Sequence, residues 1–427
     1  NGFPVPVNLS ESLITHEDRI KTNAPPEAVE IFYPNGDPLQ PGDWLVQEEK
    51  AEALERIARD GKDGFYKGKT AEQLVADLNA NGNRATLDDL ASYETRWLRP
   101  LAGGFRNFTV LSAPPPLGGT QVVQPLVLLD SFPLREIGLP SESPLAANRI
   151  LDAIRIGRRD YNRWVFDPET PVPANGLTSS KYALTRIDGI GTGEVSEREQ
   201  PGDPWEFDGE IDPRFAHLNP WAPSAQNLEE NEDGEENNDS DEPSEEHTTH
   251  LSVIDADRNA VAITMTLGPS FGAGFYSSGV FYNNGLTRFG NSSAGNRWEA
   301  YRTPRSNTSP TIVLEEDRVR LVTGAQGGSR IPPAIVFNIL YALEYDLSAS
   351  EAMAGARAFP YMFSPVIRLE AGFDHSVAQG LRERGYTLEP YKQQDNYFAG
   401  AHMIVVEPDG RLHGAADMRR AGKAVGY

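Results

Sequence analysis

Residues 247–266 read HTTHLSVIDADRNAVAITMT. Two runs of alternating character, HLSVID and AVAITMT, are separated by Asp257-Arg258-Asn259. Alternation with a period of two marks a half-buried strand, and a short Asp/Asn-rich break between two such runs marks a turn. The stretch therefore predicts a β-hairpin. On its second strand Thr264 and Thr266 share one face, with Val261, Ile263 and Met265 on the other. Directly upstream lies 228–246, LEENEDGEENNDSDEPSEE, which holds only one aliphatic residue. It is too polar to build a core and reads as a flexible acidic tract. Thr248 and Thr249 stand at the join. Two β-formers opening a strand account for the pair; so does a nucleophile set beside an accessible scissile bond.

A threonine hydroxyl is a poor nucleophile without a base. An N-terminal threonine supplies its own, because its α-amine, with a pKa near ~7.7, accepts the proton. An enzyme of this kind must first cut its own chain, here between His247 and Thr248. Far downstream, Gly327-Gly328 separates a strand pattern from an apolar helix pattern, IPPAIVFNILYALEY. Unhindered backbone N–H groups at a helix start can hold an oxyanion, although glycine pairs also mark ordinary turns.

The remaining pattern is mixed. Residues 47–60 have helical periodicity through Ala51, Leu54, Ile57 and Ala58, with Gly61 as a stop. Residues 86–93, TLDDLASY, begin with a capping-type threonine and predict a short helix. FTVLSA at 108–113 is a strand that runs into PPPLGG at 114–119; a buried helix follows at 120–132, and another covers 144–163. Residues 167–247 are rich in Pro, Gly, Asp and Glu, too poor in apolar side chains to fold by themselves, and expected to be mobile. Hairpins are predicted at 311–325 and at 401–417, the latter turning at Pro408-Asp409-Gly410. Helices flank sheets on both sides of the tract, as in a layered sandwich, and no internal repeat is present.

Composition narrows the chemistry. The chain has 427 residues, 39% of them hydrophobic, and a net charge of −23. Eleven acidic residues fall between Glu229 and Glu246, so roughly half of the excess is local. Such a balance makes nucleic acid and anionic membrane surfaces poor partners. Arginine outnumbers lysine 31 to 8, which suits a salt-loving cell and equally an ordinary acidic protein. There is no cysteine, which removes disulfides and thiolate chemistry. The seven histidines are scattered without metal-ligand spacing, so neither a metal nor another cofactor is expected. No run approaches 18 apolar residues, and the opening NGFPVPVNLSESL lacks the basic and apolar regions of a signal peptide.

Taken together, these residues resemble the γ-glutamyltranspeptidase family of N-terminal-nucleophile hydrolases, related to glutathione hydrolases and cephalosporin acylases. The matching stretches are TTHLSVIDADRNAVAITMTL, SFGAGF, SSGVFYNNGLTRFG, SNTSPTIV, LVTGAQGGSRI and the closing AVGY. Upstream they are GDWLVQEEKAEALERIARDGKDGFYKG, TLDDLASY and VLSAPPPLGGTQVVQPLVLL. The resemblance covers nearly the whole chain apart from the acidic tract. It implies an α+β fold, a four-layer αββα sandwich, with part of the large-subunit region missing at the N-terminus. It implies self-cleavage that leaves a large subunit, 1–247, and a small subunit, 248–427, held together as one sandwich. It also implies that Thr248 is the nucleophile, that Thr266 orients it, and that Gly327 and Gly328 form the oxyanion hole. Ser306 would hold the donor's α-carboxylate. The γ-glutamyl group of a small-molecule, glutathione-like donor would pass to the threonine, then to water or an amino acid. Family members are often extracytoplasmic.

Five departures bear on the donor. The family's Asn-Asn-Gln/Glu-Met-Asp-Asp-Phe is here Asn283-Asn284-Gly285-Leu286-Thr287-Arg288-Phe289. Arg288 thus replaces the acid that grips the donor's α-amine; it would repel an ammonium and could pair with a carboxylate. Gly268 stands where the family has asparagine, and Asn307 replaces the second serine of the carboxylate pair. The stretch from Phe289 to Ser306 is short where many members carry a lid. The Arg-Glu-x-Ala-Pro motif found near the family's N-terminus does not occur. Three readings stand: a γ-glutamyl transferase or hydrolase, an acylase of the same fold for a glutaryl-type donor, and a truncated, non-catalytic homologue.

Overall fold

The computed structural model describes residues 1–167, 170–192, 201–209, 212–218, 246–290 and 296–427. The acidic tract expected at 228–246 lies outside the described residues, apart from the backbone of Glu246. The chain divides into two compact units. One comprises residues 1–97, 245–247 and 266–285; the other comprises 98–244, 248–265 and 286–427.

The first unit is mainly helical: α1 (Val7–Thr15), α2 (Glu17–Asn23), α3 (Pro26–Phe32), α4 (Glu48–Asp60), α5 (Gly68–Ala80) and α6 (Leu87–Ala91). The predicted stop of α4 is real: Gly61 has φ +62°, and its N–H donates to the Ile57 carbonyl at 2.8 Å. Thr86 heads α6 in a reciprocal capping box. Its Oγ1 accepts from Asp89 N at 3.1 Å, and Asp89 Oδ2 accepts from Thr86 N at 2.8 Å. Leu13, Ile20, Phe32 and Tyr33 form a small core with Tyr276, and Phe271 and Phe281 pack against it. The Phe32 ring meets those of Tyr276 and Phe281 at 5.3 and 5.2 Å.

The second unit holds the main core. Its helices are α7 (Thr120–Leu129), α8 (Pro144–Trp164), α9 (Ser180–Arg186), α10 (Ile331–Ile339), α11 (Ala349–Ala354) and α12 (His375–Glu383). Its strands are β1 (Leu101–Phe105), β2 (Phe108–Ser112), β3 (Glu246–Ile254), β4 (Ala260–Pro269), β5 (Thr311–Glu315) and β6 (Arg318–Gln326). They continue with β7 (Ala358–Pro360), β8 (Val366–Glu370), β9 (Thr387–Tyr391), β10 (Gly400–Val406) and β11 (Leu412–Ala416). β3 and β4 belong to this unit only from Thr248 to Met265. Six strands form one sheet in the order β11-β10-β6-β5-β2-β1, every pairing antiparallel. β7, β8 and β9 form a second, three-stranded sheet, and β3 and β4 form the predicted hairpin.

Alternation along the strands decides what each face of the large sheet meets. Leu321 and Ala325 of β6, with Ala401, Met403 and Val405 of β10, join the helix core. On that same face Gly103 lies so close to α7 that an added Cβ would fall 2.3 Å from Val123 Cγ1. The opposite face receives the hairpin. There Gly324 and His402 pair across β6 and β10, and the His250 ring sits directly on Gly324. An added Cβ at 324 would lie 2.3 Å from the ring's Cε1. The hairpin thus turns its polar face inward. Its apolar side chains, Leu251, Val253, Val261, Ile263 and Met265, face outward, Met265 being 57% exposed.

The structure corrects one expectation. Residues 170–192 are ordered, and Val172, Ala174, Leu177, Tyr182 and Ile190 enter the main core. They fold against α7 and α8 rather than by themselves, which composition could not reveal. Polar anchors complete the seat. Asp208 Oδ1 accepts from Asn175 N and Gly176 N at 2.9 and 3.0 Å, and Asp160 accepts from Tyr182 Oη at 2.7 Å.

A buried ionic cluster ties the three-stranded sheet to the end of β11. Arg419 grips Glu370 with two bonds, Nε to Oε1 at 2.8 Å and Nη2 to Oε2 at 2.5 Å. Arg357 pairs with Asp417 at 2.7 Å. Glu370 also accepts from Arg357 N and Asp395 N, so its carboxylate is fully engaged. Removing one partner strands the others' charge in the interior. Glu370→Ala is therefore expected to lower stability by about 3–5 kcal/mol, read as a large fall in the urea midpoint.

His250 makes stability fall with acid. Burial, helped by neighbouring His402, lowers its pKa from 6.5 to about 3. Burial also lowers that of His402, against the opposing pull of Asp417. Between pH 6.5 and about 3 the unfolded chain binds a proton at position 250 that the folded chain refuses. Stability should then decline on acidification through this window, by at most about 1.4 kcal/mol per pH unit for one such group. Urea midpoints at pH 7, 6 and 5 check the slope, and His250→Gln should flatten it.

Candidate active site

Thr248 lies on β3 and is buried, 4% exposed. β3 runs unbroken through His247 and Thr248, so the nitrogen of Thr248 is here a peptide amide rather than a free amine. Thr266 lies on β4, within the first unit. Its Oγ1 accepts from Gly268 N at 3.0 Å, where Gly268, with φ +88°, bends the strand end. Asn284 is in the same unit, and its N–H donates to the Leu267 carbonyl at 2.8 Å. The remaining candidates all belong to the second unit.

Gly327 and Gly328 form the joint between β6 and α10, through a single turn at Gly328–Arg330. Both have positive φ, +139° and +61°, a combination that side chains resist. Space excludes a side chain as well. A Cβ on Gly327 would come within 2.9 Å of Ala399 Cα and Cβ. Ala399 itself has φ +66°, unusual for a residue with a side chain. Arg357 holds this corner, donating from Nη1 to the carbonyls of Phe398 and Ala399 at 3.1 and 3.4 Å. The result is a glycine turn at the start of an apolar helix, backed by a rigid neighbour. Amide groups there can meet developing negative charge.

Ser306 and Asn307 lie on an extended segment that docks against PPPLGG. Ser306 N donates to the Pro116 carbonyl at 3.2 Å, and Gly118 N donates to the Thr308 carbonyl at 3.1 Å. The glycines are needed for this approach. A Cβ on Gly118 would fall 2.7 Å from Ser309 Oγ, and one on Gly119 would fall 2.0 Å from the Ala113 carbonyl oxygen. Successive side chains then alternate. Ser306 Oγ and Thr308 Oγ1 are 3.3 Å apart, while Asn307 Oδ1 accepts from Gln121 Nε2 of α7 at 2.8 Å. Asn307 is therefore anchored to the helix core by its side-chain oxygen, and the hydroxyl beside Ser306 is that of Thr308.

Arg288 ends a short turn, Gly285–Arg288, and is half-buried. Asn296 fastens the chain beyond it. Its Nδ2 donates to the Arg288 carbonyl at 2.9 Å, and its Oδ1 accepts from Arg305 N at 3.3 Å. Arg305 in turn donates from Nη1 to both oxygens of Asn162 on α8. The stretch between Phe289 and Ser306, expected to be a short lid, is thus tied back at 296 and 305, although 291–295 lie outside the described residues.

Reading the sequence missed several of these contributors. Thr308, Gln121 and Asn296 carry no motif of their own, and Ala399 becomes visible only through its contact with Gly327. Among the described residues no cluster of three or more metal-ligating side chains occurs. Among the same residues no helix is long and apolar enough to cross a membrane.

Comparison with known proteins gives the family of the chain. A family model described as gamma-glutamyltranspeptidase matches residues 1–427. The chain is 31% identical over 436 residues to a glutathione hydrolase proenzyme of Escherichia coli, covering 98% of this chain and 68% of that protein. It is 28% identical to a glutathione hydrolase proenzyme of Bacillus subtilis, covering 100% and 68%. It is also 28% identical to the acylase ACY 1 proenzyme of Pseudomonas sp. strain SE83, covering 99% and 68%. Among solved structures, a cephalosporin acylase from Bacillus halodurans superposes with a TM-score of 0.79 at 20% identity, over 98% of this chain and 70% of that one. The mixed helix-and-sheet fold is shared with that acylase, and the match along the full length shows that the chain belongs to the gamma-glutamyltranspeptidase family.

Proposed function

We propose that this protein is a proenzyme that cuts itself between His247 and Thr248 and then transfers γ-glutamyl groups from glutathione-like donors to water or amino acids. The observation that carries the reading is the place of Thr248: buried, on a strand, in a chain whose relatives are glutathione hydrolase proenzymes. In the first step Thr248 Oγ1 attacks the His247 carbonyl carbon. The peptide C–N bond gives way to an ester, and the nitrogen leaves as the amine of Thr248. Water then hydrolyses the ester, separating subunits 1–247 and 248–427. The new amine, with a pKa near ~7.7, is largely able to accept a proton at neutral pH. It takes the hydroxyl proton as Thr248 attacks the donor's γ-carbonyl, and returns it to the departing amine.

The other candidates take supporting roles in this reading. Gly327 and Gly328 offer amides to the oxyanion, and Thr266 orients the nucleophile. Ser306 binds the donor's carboxylate, and Asn307 and Asn284 remain candidates for donor binding. The fold is the four-layer αββα sandwich of N-terminal-nucleophile hydrolases. In support of this reading, helices pack on one face of the six-stranded sheet and the hairpin rests on the other.

Arg288 favours a second reading, an acylase for a donor ending in a carboxylate where glutathione carries its α-amine. The likeness to an acylase proenzyme keeps this reading in view.

Two experiments test these roles. Thr248→Ala should leave one band on a denaturing gel, where the parent chain gives two, and should abolish turnover; an active, uncut variant would remove Thr248 from the mechanism. Arg288→Asp should shift the ratio of γ-glutamyl anilide to glutaryl anilide hydrolysis at least about tenfold toward γ-glutamyl, as expected for a charged hydrogen bond gained or lost. An unchanged ratio would place Arg288 away from the donor.

A further inference from the structure

His250 completes the Thr-Thr-His run, yet the chemistry above gives it no work. Strand alternation puts it on the same face as Thr248, two residues along β3; Thr264 stands in the same relation to Thr266 on β4. Across the hairpin, His250 Nδ1 lies 2.8 Å from Thr264 Oγ1, and Nε2 lies 2.9 Å from Ser252 Oγ. A neutral imidazole has one donor and one acceptor nitrogen, so it serves both hydroxyls together. The ring is 4% exposed. It rests on the bare Cα of Gly324 and faces the His402 ring at 6.3 Å, inclined by 27°. It has one place to sit. The far end of the hairpin is closed separately, where Asp255 N donates to the Asn259 carbonyl at 3.1 Å and Asn259 N donates to Asp255 Oδ1 at 2.8 Å.

We propose that His250 is a positioning residue for acyl transfer: through Thr264 it locks the strand of Thr248 to the strand of Thr266, and so sets where the attacking hydroxyl stands. This rests on the reading of Thr248 as nucleophile. Once the chain is cut, β3 begins at residue 248, and the first residue of a strand is the one most prone to fray. The clamp lies two residues in, on the nucleophile's own face. Displacement of a nucleophile by about 1 Å can cost on the order of a hundredfold in rate. A fixed ring two residues away limits that displacement, and a glycine at 324 is what lets the ring be fixed. The clamp acts on reactivity more than on donor binding, so its loss falls on kcat.

The test compares Thr264→Val, Thr264→Ser, His250→Phe and His250→Gln, with Thr248→Ala as control, in the full chain. Rates of self-cleavage and kcat and KM for γ-glutamyl anilide are measured together. Thr264→Val keeps the shape and removes the hydroxyl. It should slow both self-cleavage and kcat about tenfold or more, with KM within about twofold of the parent's. Thr264→Ser should restore both rates. His250→Gln keeps a donor and an acceptor and should outperform His250→Phe by at least about fivefold in kcat. Wild-type rates in Thr264→Val, a loss confined to KM, or equal rates in the Gln and Phe variants would overturn the clamp. Should Thr264→Val fail to fold, the Gln and Phe pair decides. An active Thr248→Ala would instead sink the nucleophile reading itself, whereas an inactive one beside a fully active Thr264→Val sinks the clamp alone.

Discussion

One imidazole resting on a residue without a side chain joins the hairpin to the large sheet. Gly324 is the only β6 residue over which the His250 ring could settle at this distance, because a Cβ there would occupy the ring's own space. From this contact the orientation of the hairpin follows. With the histidine face turned inward, Thr248, Thr264 and Ser252 are turned inward too, and the aliphatic side chains of both strands are left outside. The face of the hairpin that meets the large sheet is thus its polar one. This arrangement places hydroxyls between two β layers, where water is scarce and hydrogen-bond geometry is strict.

The charge pattern has a similar inside-out quality. The chain is strongly acidic overall, yet its interior is studded with arginines. Arg155, Arg158 and Arg159 project from α8 and donate to the carbonyls of Tyr361, Pro360 and Met362 at 2.9, 2.6 and 2.8 Å. Arg158 and Arg159 also lie against the Phe359 and Phe363 rings. A guanidinium can lie flat on an aromatic ring and still aim its edge at carbonyls, which an ammonium cannot do equally well. The excess of arginine over lysine, open to two explanations in the bare sequence, therefore has at least one structural use. Arg357 extends the pattern, linking the buried Asp417 to the backbone behind Gly327.

Local structure was legible where a local rule governs it. The helix at 48–60, the capping box of Thr86, the strand at 108–112 and three hairpin turns lie where spacing and turn residues place them. What spacing leaves open is which surface meets which. Leu54, read as part of the apolar stripe of α4, is 56% exposed, while Ala53 beside it is buried. Residues 170–192 seemed too polar to fold because their core is supplied by other segments. The pairing of β2 with β5 joins parts of the chain about two hundred residues apart, and no single-sequence pattern announces it. At the candidate site, Thr248, Gly327 and Gly328 are the candidates that residue chemistry and motif single out. Thr308 and Gln121 are not among them, since their place depends on how one extended segment alternates against PPPLGG.

The corner shared by Gly327 and Ala399 restricts evolution and engineering alike. Residue 327 cannot grow because a methyl-bearing backbone lies 2.9 Å away, and residue 399 is itself fully buried. Single exchanges at either site meet a wall, and even paired ones must satisfy two left-handed backbone conformations. A combinatorial library that randomises the surroundings of the helix start will therefore return almost the parental pair at these two codons. Useful diversity in this neighbourhood has to be sought elsewhere, for instance along the segment that carries Ser306 and Thr308.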